Sequence, residues 1–402
     1  MESSAVAILE GLPEDVMRVV LSHVPSPWVV QARVVSKQWR RILSCTHFAR
    51  QWAARAHATS PHHSLCLLLN YHNHGDEGLS ALHLPTHLCL PALLPPASRP
   101  LAASPLGLLL CRSSSSGTFL SLFQPLTHAS TPLPPPPHIN TPLSAALSTT
   151  SPAGHFFLLA LGTPLNSPLI LTTPFVAEIY SSVSSSWTPL PPLPHLRNPT
   201  LIPRCTSSLV WWKEAFFMLW GNCILTFKPS QAEAATATTE ETATWGSIEL
   251  PKEPRIWDAR FLTLHVIKGR LFVEGNFQEQ GDFQRRNPLR IGVVELADPR
   301  KQLWKEASFM PDSLSMRLCS RQQHPAHCFY TTYSDPLSDH VYFTPYVDTG
   351  SASDNELSIE VVLFDVSSGS WSSMSNVAAS PALFSSPTFR GPYIWRTSNF
   401  QC

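Results

Sequence analysis

One phrase recurs along this chain and restricts the folds open to it: an apolar strand, a polar turn, a tryptophan and a proline-rich exit. FVAEIYSSVSSSWTPLPPLP (175–194) is the clearest copy. TFLSLFQPLTHASTPLPPPP (118–137) matches it with Ser130 in place of the tryptophan, and IGVVELADPRKQLWKEASFMP (291–311) and EVVLFDVSSGSWSSMS (360–375) repeat it. A longer-turn version ends at TATWGSIELP (242–251). The tryptophan-equivalent positions are 130, 187, 245, 304 and 371, so the successive steps are 57, 58, 59 and 67. A near-constant period of that length means units of a few strands each.

Upstream apolar pairs fill each unit. SSLVWWKEAFFMLWGNCILTF (207–227) is one, and FLTLHVIKGRLFVEG (261–275) turns at Lys268-Gly269. CFYTTYSDPLSDHVYFTPYV (328–347) uses an Asp-Pro turn in the same way. Four strands per unit make a β-propeller blade, and closing the ring disposes of the strand edges. Six blades fit, with seven as the alternative, because LSALHLPTHLCLPALLPP (79–96) can end a further unit. ALFSSPTFRGPYIW (382–395) is placed to pair with strands near 64–85 and close the ring. A two-sheet sandwich is the competing architecture.

A tryptophan repeated once per unit at a strand end reads as a packing anchor rather than a ligand contact, so Trp187, Trp245, Trp304 and Trp371 are assigned to structure. Trp211, Trp212 and Trp220 have no assignment; alternation puts at least one of the adjacent pair on the outer face of its strand.

Composition agrees with a loop-rich β protein: 39 prolines against a charged fraction of 14%. The 28 basic and 28 acidic side chains cancel, and no basic stripe appears. That argues against nucleic acid or an anionic membrane as the main partner. Nine cysteines stand singly with no C-x-x-C pair, and the start MESSAVAILEGLP lacks a basic n-region. A reduced compartment is expected, cytoplasm or nucleus, with free thiols. Proline and polar residues interrupt every apolar stretch before it reaches the length of a membrane-spanning helix.

Residues 9–52, LEGLPEDVMRVVLSHVPSPWVVQARVVSKQWRRILSCTHFARQW, follow a different period. Pro13 suits a first helical turn, with Glu14 and Asp15 near the positive end of the dipole. Val16, Val19, Val20 and Val24 recur at helical spacing, widened by Met17 and Leu21, and Pro25 stops the helix. Ser26-Pro27 opens a second helix carrying Trp28, Val29, Val30 and Ala32. Ser36 caps a third with Trp39, Ile42 and Leu43, and Thr46 a fourth with Phe48 and Trp52. About 40 residues cannot bury this much apolar surface alone, so either the rest of the chain or a partner covers the excess.

Leu12-Pro13, an acidic residue, the Val16/Val19/Val20/Leu21 stripe, Pro25 and then Arg33-Val34-Val35-Ser36-Lys37-Gln38-Trp39-Arg40 resemble the F-box. Val24 stands where that family usually has leucine before the proline, and Ser36 where it has cysteine. The resemblance implies binding to an SKP-type linker protein, and through it to a cullin–RING ubiquitin ligase. Leu12, Pro13, Val16, Val20, Leu21, Val24, Val29, Val30, Val35 and Trp39 match the family's apolar positions. Each is either a linker contact or part of the module's own core. The strand–turn–Trp–Pro phrase, and GLLLC (107–111) ahead of LSLFQPLT, resemble kelch-type and F-box-associated propellers of land plants, without the double-glycine kelch signature.

Constellations of side chains with catalytic potential are few. His62, His63, His72, His74, His83 and His87 share one segment, and His72-x-His74 with Cys66 or Cys89 is the nearest approach to zinc-ligand spacing. A connector rich in histidine is the simpler reading. No Gly-x-Ser-x-Gly elbow, P-loop, Gly-x-Gly-x-x-Gly or His-Glu-x-x-His appears, and none of the cysteines sits in an activated setting. QAEAATATTEETAT (231–244) reads as an inter-strand loop.

The expected organisation is a helical module at 1–52, a connector at 53–63 and a propeller of degenerate kelch-like repeats at 64–402. The expected function is a non-catalytic adaptor of an SCF-type ligase that recruits a target protein on the propeller, with neither cofactor nor metal. A non-degradative F-box scaffold is one alternative. A propeller enzyme or glycan-binding module with an incidental helical start is the other.

Overall fold

The computed structural model describes residues 12–24, 32, 36–45 and 47–48 near the N-terminus, then most strands and many turns between 65 and 396. Two helices are described along their length in the first part, α1 (Glu14–Leu21) and α2 (Lys37–Leu43). Ala32, His47 and Phe48 are helical as well, and the rest of the second and fourth helices expected from the sequence lies outside the described residues.

The remainder is mostly β, arranged among the described residues as six antiparallel sheets. Sheet I joins β1 (Leu65–Asn73), β2 (Asp76–His83) and β3 (Leu88–Leu90). Sheet II holds β4 (Ser98–Ala103), β5 (Leu109–Ser113), β6 (Leu120–Gln124) and β7 (Ala129–Leu133). Sheet III holds β8 (Ile139–Leu147), β9 (Phe157–Pro164), β10 (Val176–Ser181) and β11 (Ser186–Pro189). Sheet IV runs through β12 (Leu209–Trp212), β13 (Ala215–Trp220), β14 (Cys223–Phe227) and β15 (Gly246–Glu249).

Sheet V has the same four positions with its two outer ones split. β16 (Arg255–Trp257) and β17 (Thr263–Ile267) both pair with β18 (Arg270–Glu279). β20 (Leu303–Trp304) and β21 (Ser308–Phe309) both pair with β19 (Arg290–Asp298). A third helix, α3 (Asp312–Cys319), precedes sheet VI, which holds β22 (Tyr330–Ser334), β23 (His340–Pro345), β24 (Ser358–Asp365) and β25 (Ser370–Ala378). The last strand, β26 (Tyr393–Arg396), leaves the chain order and pairs with β1, so sheet I is made from both ends of the β region. This is the pairing expected for residues 382–395 with those near 64–85.

The first strands of the sheets lie against one another in sequence: β4 with β8, β8 with β12, β12 with β17, β17 with β22, β22 with β26, and β26 with β4. Sheet IV shows what this stacking does to a strand. In β13, Phe216, Met218 and Trp220 pack toward sheet III beside Leu159 and Ile179. Ala215, Phe217 and Leu219 pack toward sheet V beside Leu264, Leu271 and Val273. An antiparallel strand usually alternates because one face meets water; a strand covered on both faces has no such reason, which is why AFFMLW is unbroken. Both Trp211 and Trp212 are therefore engaged, one toward each neighbouring sheet. The alternation places them on opposite faces, and neither face is open.

The tryptophan repeat has one geometry. Trp187 donates its indole N–H to Pro134 O at 2.7 Å, Trp245 to Pro191 O at 3.0 Å, and Trp304 to Glu249 O at 3.2 Å. Trp371 donates to Ser308 Oγ at 3.1 Å. In every case the acceptor belongs to the preceding sheet or its exit and stands at the same short offset beyond that unit's tryptophan-equivalent position. These side chains are latches between successive sheets, as assigned to them from the sequence.

The turn before the latch is also shared. Ser185, Gln302 and Gly369 each stand two positions ahead of their tryptophan with positive φ, at 52°, 51° and 67°. In the last two turns an aspartate organises the bend. Asp298 Oδ1 accepts from the Arg300 and Lys301 N–H groups, and Asp365 Oδ1 from those of Ser367 and Ser368. The longer final step of the repeat is accounted for by α3, whose Leu318 is buried with Phe343 and Val362 across the junction of sheets V and VI. The sequence repeat alone does not announce this helix.

Candidate functional site

α1 begins where the chain leaves Pro13, which occupies the cap with φ −53° and ψ 147° rather than the first helical turn expected for it. Its carbonyl accepts the first helical bond, from Met17 N at 2.9 Å. The helix ends at Leu21, and Ser22 closes it with a side-chain bond to Val19 O at 2.7 Å, ahead of Pro25. Ser36 caps α2 as its chemistry predicts, its hydroxyl accepting from Trp39 N at 3.1 Å.

Glu14 fastens the two helices. One carboxylate oxygen meets Arg18 one turn along α1 at 2.5 Å, and the other meets Arg41 of α2 at 2.6 Å. Beside this bridge lies a small apolar core: Met17, Leu21, Ala32, Trp39, Ile42, Leu43 and Phe48, with Leu12, Val24 and Cys45 packed at its margin.

Burial divides the apolar residues that match the family pattern. Leu21 and Trp39 lie in the core, and Leu12 and Val24 at its edge. Pro13 is exposed, and Val16 and Val20 retain 41% and 39% of their accessible surface. Val29, Val30 and Val35 lie outside the described residues. Val19, part of the stripe that carries the resemblance but not among the ten matched positions, joins the outward set at 44%. Its helical spacing from Val16 and adjacency to Val20 are the signal that finds it. Met17, Leu21 and Val24 thus form one apolar stripe facing inward, while Val16, Val19 and Val20 form a second facing water.

That second stripe is an uncharged surface on a helix pinned to its partner helix. It can dock an apolar surface of another protein by helix packing. It has nothing with which to carry out a reaction.

Among the described residues of the β region several reactive groups are engaged structurally. Glu178 is fully buried, with one carboxylate oxygen 2.6 Å from His138 Nδ1 and the other accepting from the His138 backbone N–H at 3.2 Å. His265 and Glu274 are buried on adjacent strands of sheet V, 3.9 Å apart. Burial pushes the Cys111 thiol up to about 12, which removes the thiolate a nucleophile requires. Burial also raises Cys223, whose thiol donates to Trp220 O. Among the described residues no three His, Cys, Asp or Glu side chains converge on a common point. The side chains of the histidine-rich segment fall outside the description.

No curated protein matches the chain. Residues 9–49 do match the model of the F-box domain, so the helical module with its two apolar stripes is an F-box domain.

Proposed function

We propose that this chain is a non-catalytic, intracellular adaptor of an SCF-type cullin–RING ubiquitin ligase. Its F-box domain binds an SKP-type linker protein, and its β region recruits the target. The single observation that carries the reading is the outward stripe Val16, Val19 and Val20 on α1 of a matched F-box domain. Three neighbouring β-branched side chains left partly in water on one short helix have more to gain from an interface than from the isolated fold.

The β region is read as a six-bladed propeller. Support for this comes from the six sheets with four strand positions each, the cyclic contacts of their first strands, the tryptophan latches and the pairing of β26 with β1. In such an adaptor the chemistry belongs to other subunits. The target is held near a charged ubiquitin carrier, and transfer gains from effective concentration rather than from any catalytic side chain here.

The test is isothermal titration of a purified SKP-type linker into the intact chain and into a Val16→Ser, Val19→Ser, Val20→Ser variant. The expected result is binding by the intact chain and at least about a hundredfold loss in the variant, the removal of three interface hydrophobes. Equal binding by both would overturn the assignment of this face.

A further inference from the structure

We propose that residues 131–138, the end of β7 and the exit of sheet II, present a proline ridge, its part beyond β7 in polyproline II geometry, that docks a small proline-reading domain with an aromatic-lined groove, of the WW or SH3 kind. The segment is Thr-Pro-Leu-Pro-Pro-Pro-Pro-His. The pyrrolidine ring locks each proline's φ in the polyproline range, and a residue that precedes proline is confined to β or polyproline II geometry. Pro134 to Pro136 obey both restrictions, which leaves the left-handed helix with a threefold repeat.

The burial follows that period. Leu133, Pro136 and Ile139 are buried, whereas Pro132, Pro134, Pro135 and Pro137 are exposed. Beyond β7 the exposed rings of Pro134 and Pro137 therefore fall in one row with the P-x-x-P spacing that aromatic grooves read, with Pro135 beside it, while Pro132 stands in the β7 ladder opposite Ser121. The inward edge holds the ridge in place. Leu133 packs with Leu120 and Leu158, and Trp187 donates to Pro134 O. A ligand fixed in this way loses little conformational freedom on binding.

The same facts select the reader. Leu133 is committed to the core, so a domain that needs this leucine as its anchor cannot engage. No charged side chain occurs from 129 to 137, and the ring of His138 is taken up by Glu178. Recognition must rest on proline rings against aromatic faces. A near-copy, TPLPPLPH (188–195), lies on sheet III, but Pro191 is half-buried there and both Pro191 O and Pro194 O accept indole N–H groups. The ridge at 131–138 is the more open of the two. Prolines on an outer strand also block edge pairing, and that role alone is the alternative the test must expose.

Nitrogen-15-labelled WW and SH3 domains would be titrated separately with the intact chain, with a peptide of residues 129–138 as reference. The expected result is shifting or broadening of the groove resonances of at least one domain. Pro135→Ala with Pro137→Ala, beyond the paired part of β7, should weaken binding at least about tenfold at an unchanged melting temperature, because the row and its flank each lose a ring. Pro134→Ala with Pro137→Ala should do the same and tests a complete row. Silence of both domains toward the intact chain overturns the proposal, whether or not the free peptide binds. So does undiminished binding by both variants. Either result leaves the adaptor reading untouched, since the ridge and the F-box domain are separate surfaces.

Discussion

α1 of the F-box domain and β13 of sheet IV are both short and mostly apolar, yet the fold treats them in opposite ways. β13 is covered on both faces, and every one of its six side chains is buried. α1 buries Met17 and Leu21 and leaves Val16, Val19 and Val20 in water. An apolar run is free to meet a partner only where its own chain fails to cover it.

The comparison can be broken by substitution. Phe216→Ala, at a fully buried ring of β13, should cost about 3–5 kcal/mol in denaturant unfolding. In α1, Met17→Ala should cost about 2–5 kcal/mol because the inward stripe is a true core. Val19→Ala on the outward stripe should change stability by no more than about 0.5 kcal/mol. A large loss at Val19 would mean that the two stripes are not distinct.

The latches sharpen the same contrast within the β region. Trp245→Phe keeps most of the ring and removes the indole N–H from Pro191 O, for an expected loss of about 1–3 kcal/mol. A loss confined to the hydrophobic difference would reduce the latch to packing.

Acid should act on one junction first. Asp339 is held below the ordinary carboxylate range by its hydrogen bond from Lys268. For Glu295 burial acts upward, but Arg270 and Lys305 outweigh it. For Asp365 burial is likewise outweighed, by the N–H groups of Ser367 and Ser368. A carboxylate lowered in the folded state contributes stability that is complete above its unfolded value. That contribution is lost as pH falls through the folded one. Melting temperature should therefore hold down to about pH 4.5 and drop below it, and Lys268→Met should lessen the drop. A profile that declines already from neutral pH would place the sensitive groups elsewhere. A similarly small effect is expected at Ser185, whose positive φ favours glycine; Ser185→Gly should gain no more than about 1 kcal/mol in the same unfolding assay.

Much of the β region was legible because its period is covalent. The steps between Trp187, Trp245 and Trp304 reflect one unit of chain per sheet, and the acceptors follow the same steps. α3 was not legible, since a short inserted helix leaves the phrase on either side unchanged. The F-box domain was legible as a pattern, while which of its apolar residues face outward was not. Val16 and Leu21 look equivalent in a string of apolar letters, and only the position of α2 separates them.

The sequence by itself determined many of the strands and turns and the Ser36 cap, because these depend on local chemistry: Ser36 accepting an N–H, Gly369 at positive φ. It also determined the spacing of the latches. The tertiary structure alone decided which apolar side chains remained uncovered and which partner each indole N–H found. Burial and hydrogen-bond pairing are set by what lies across the gap from a residue, and in this chain the acceptor of a latch lies a whole repeat unit away along the sequence.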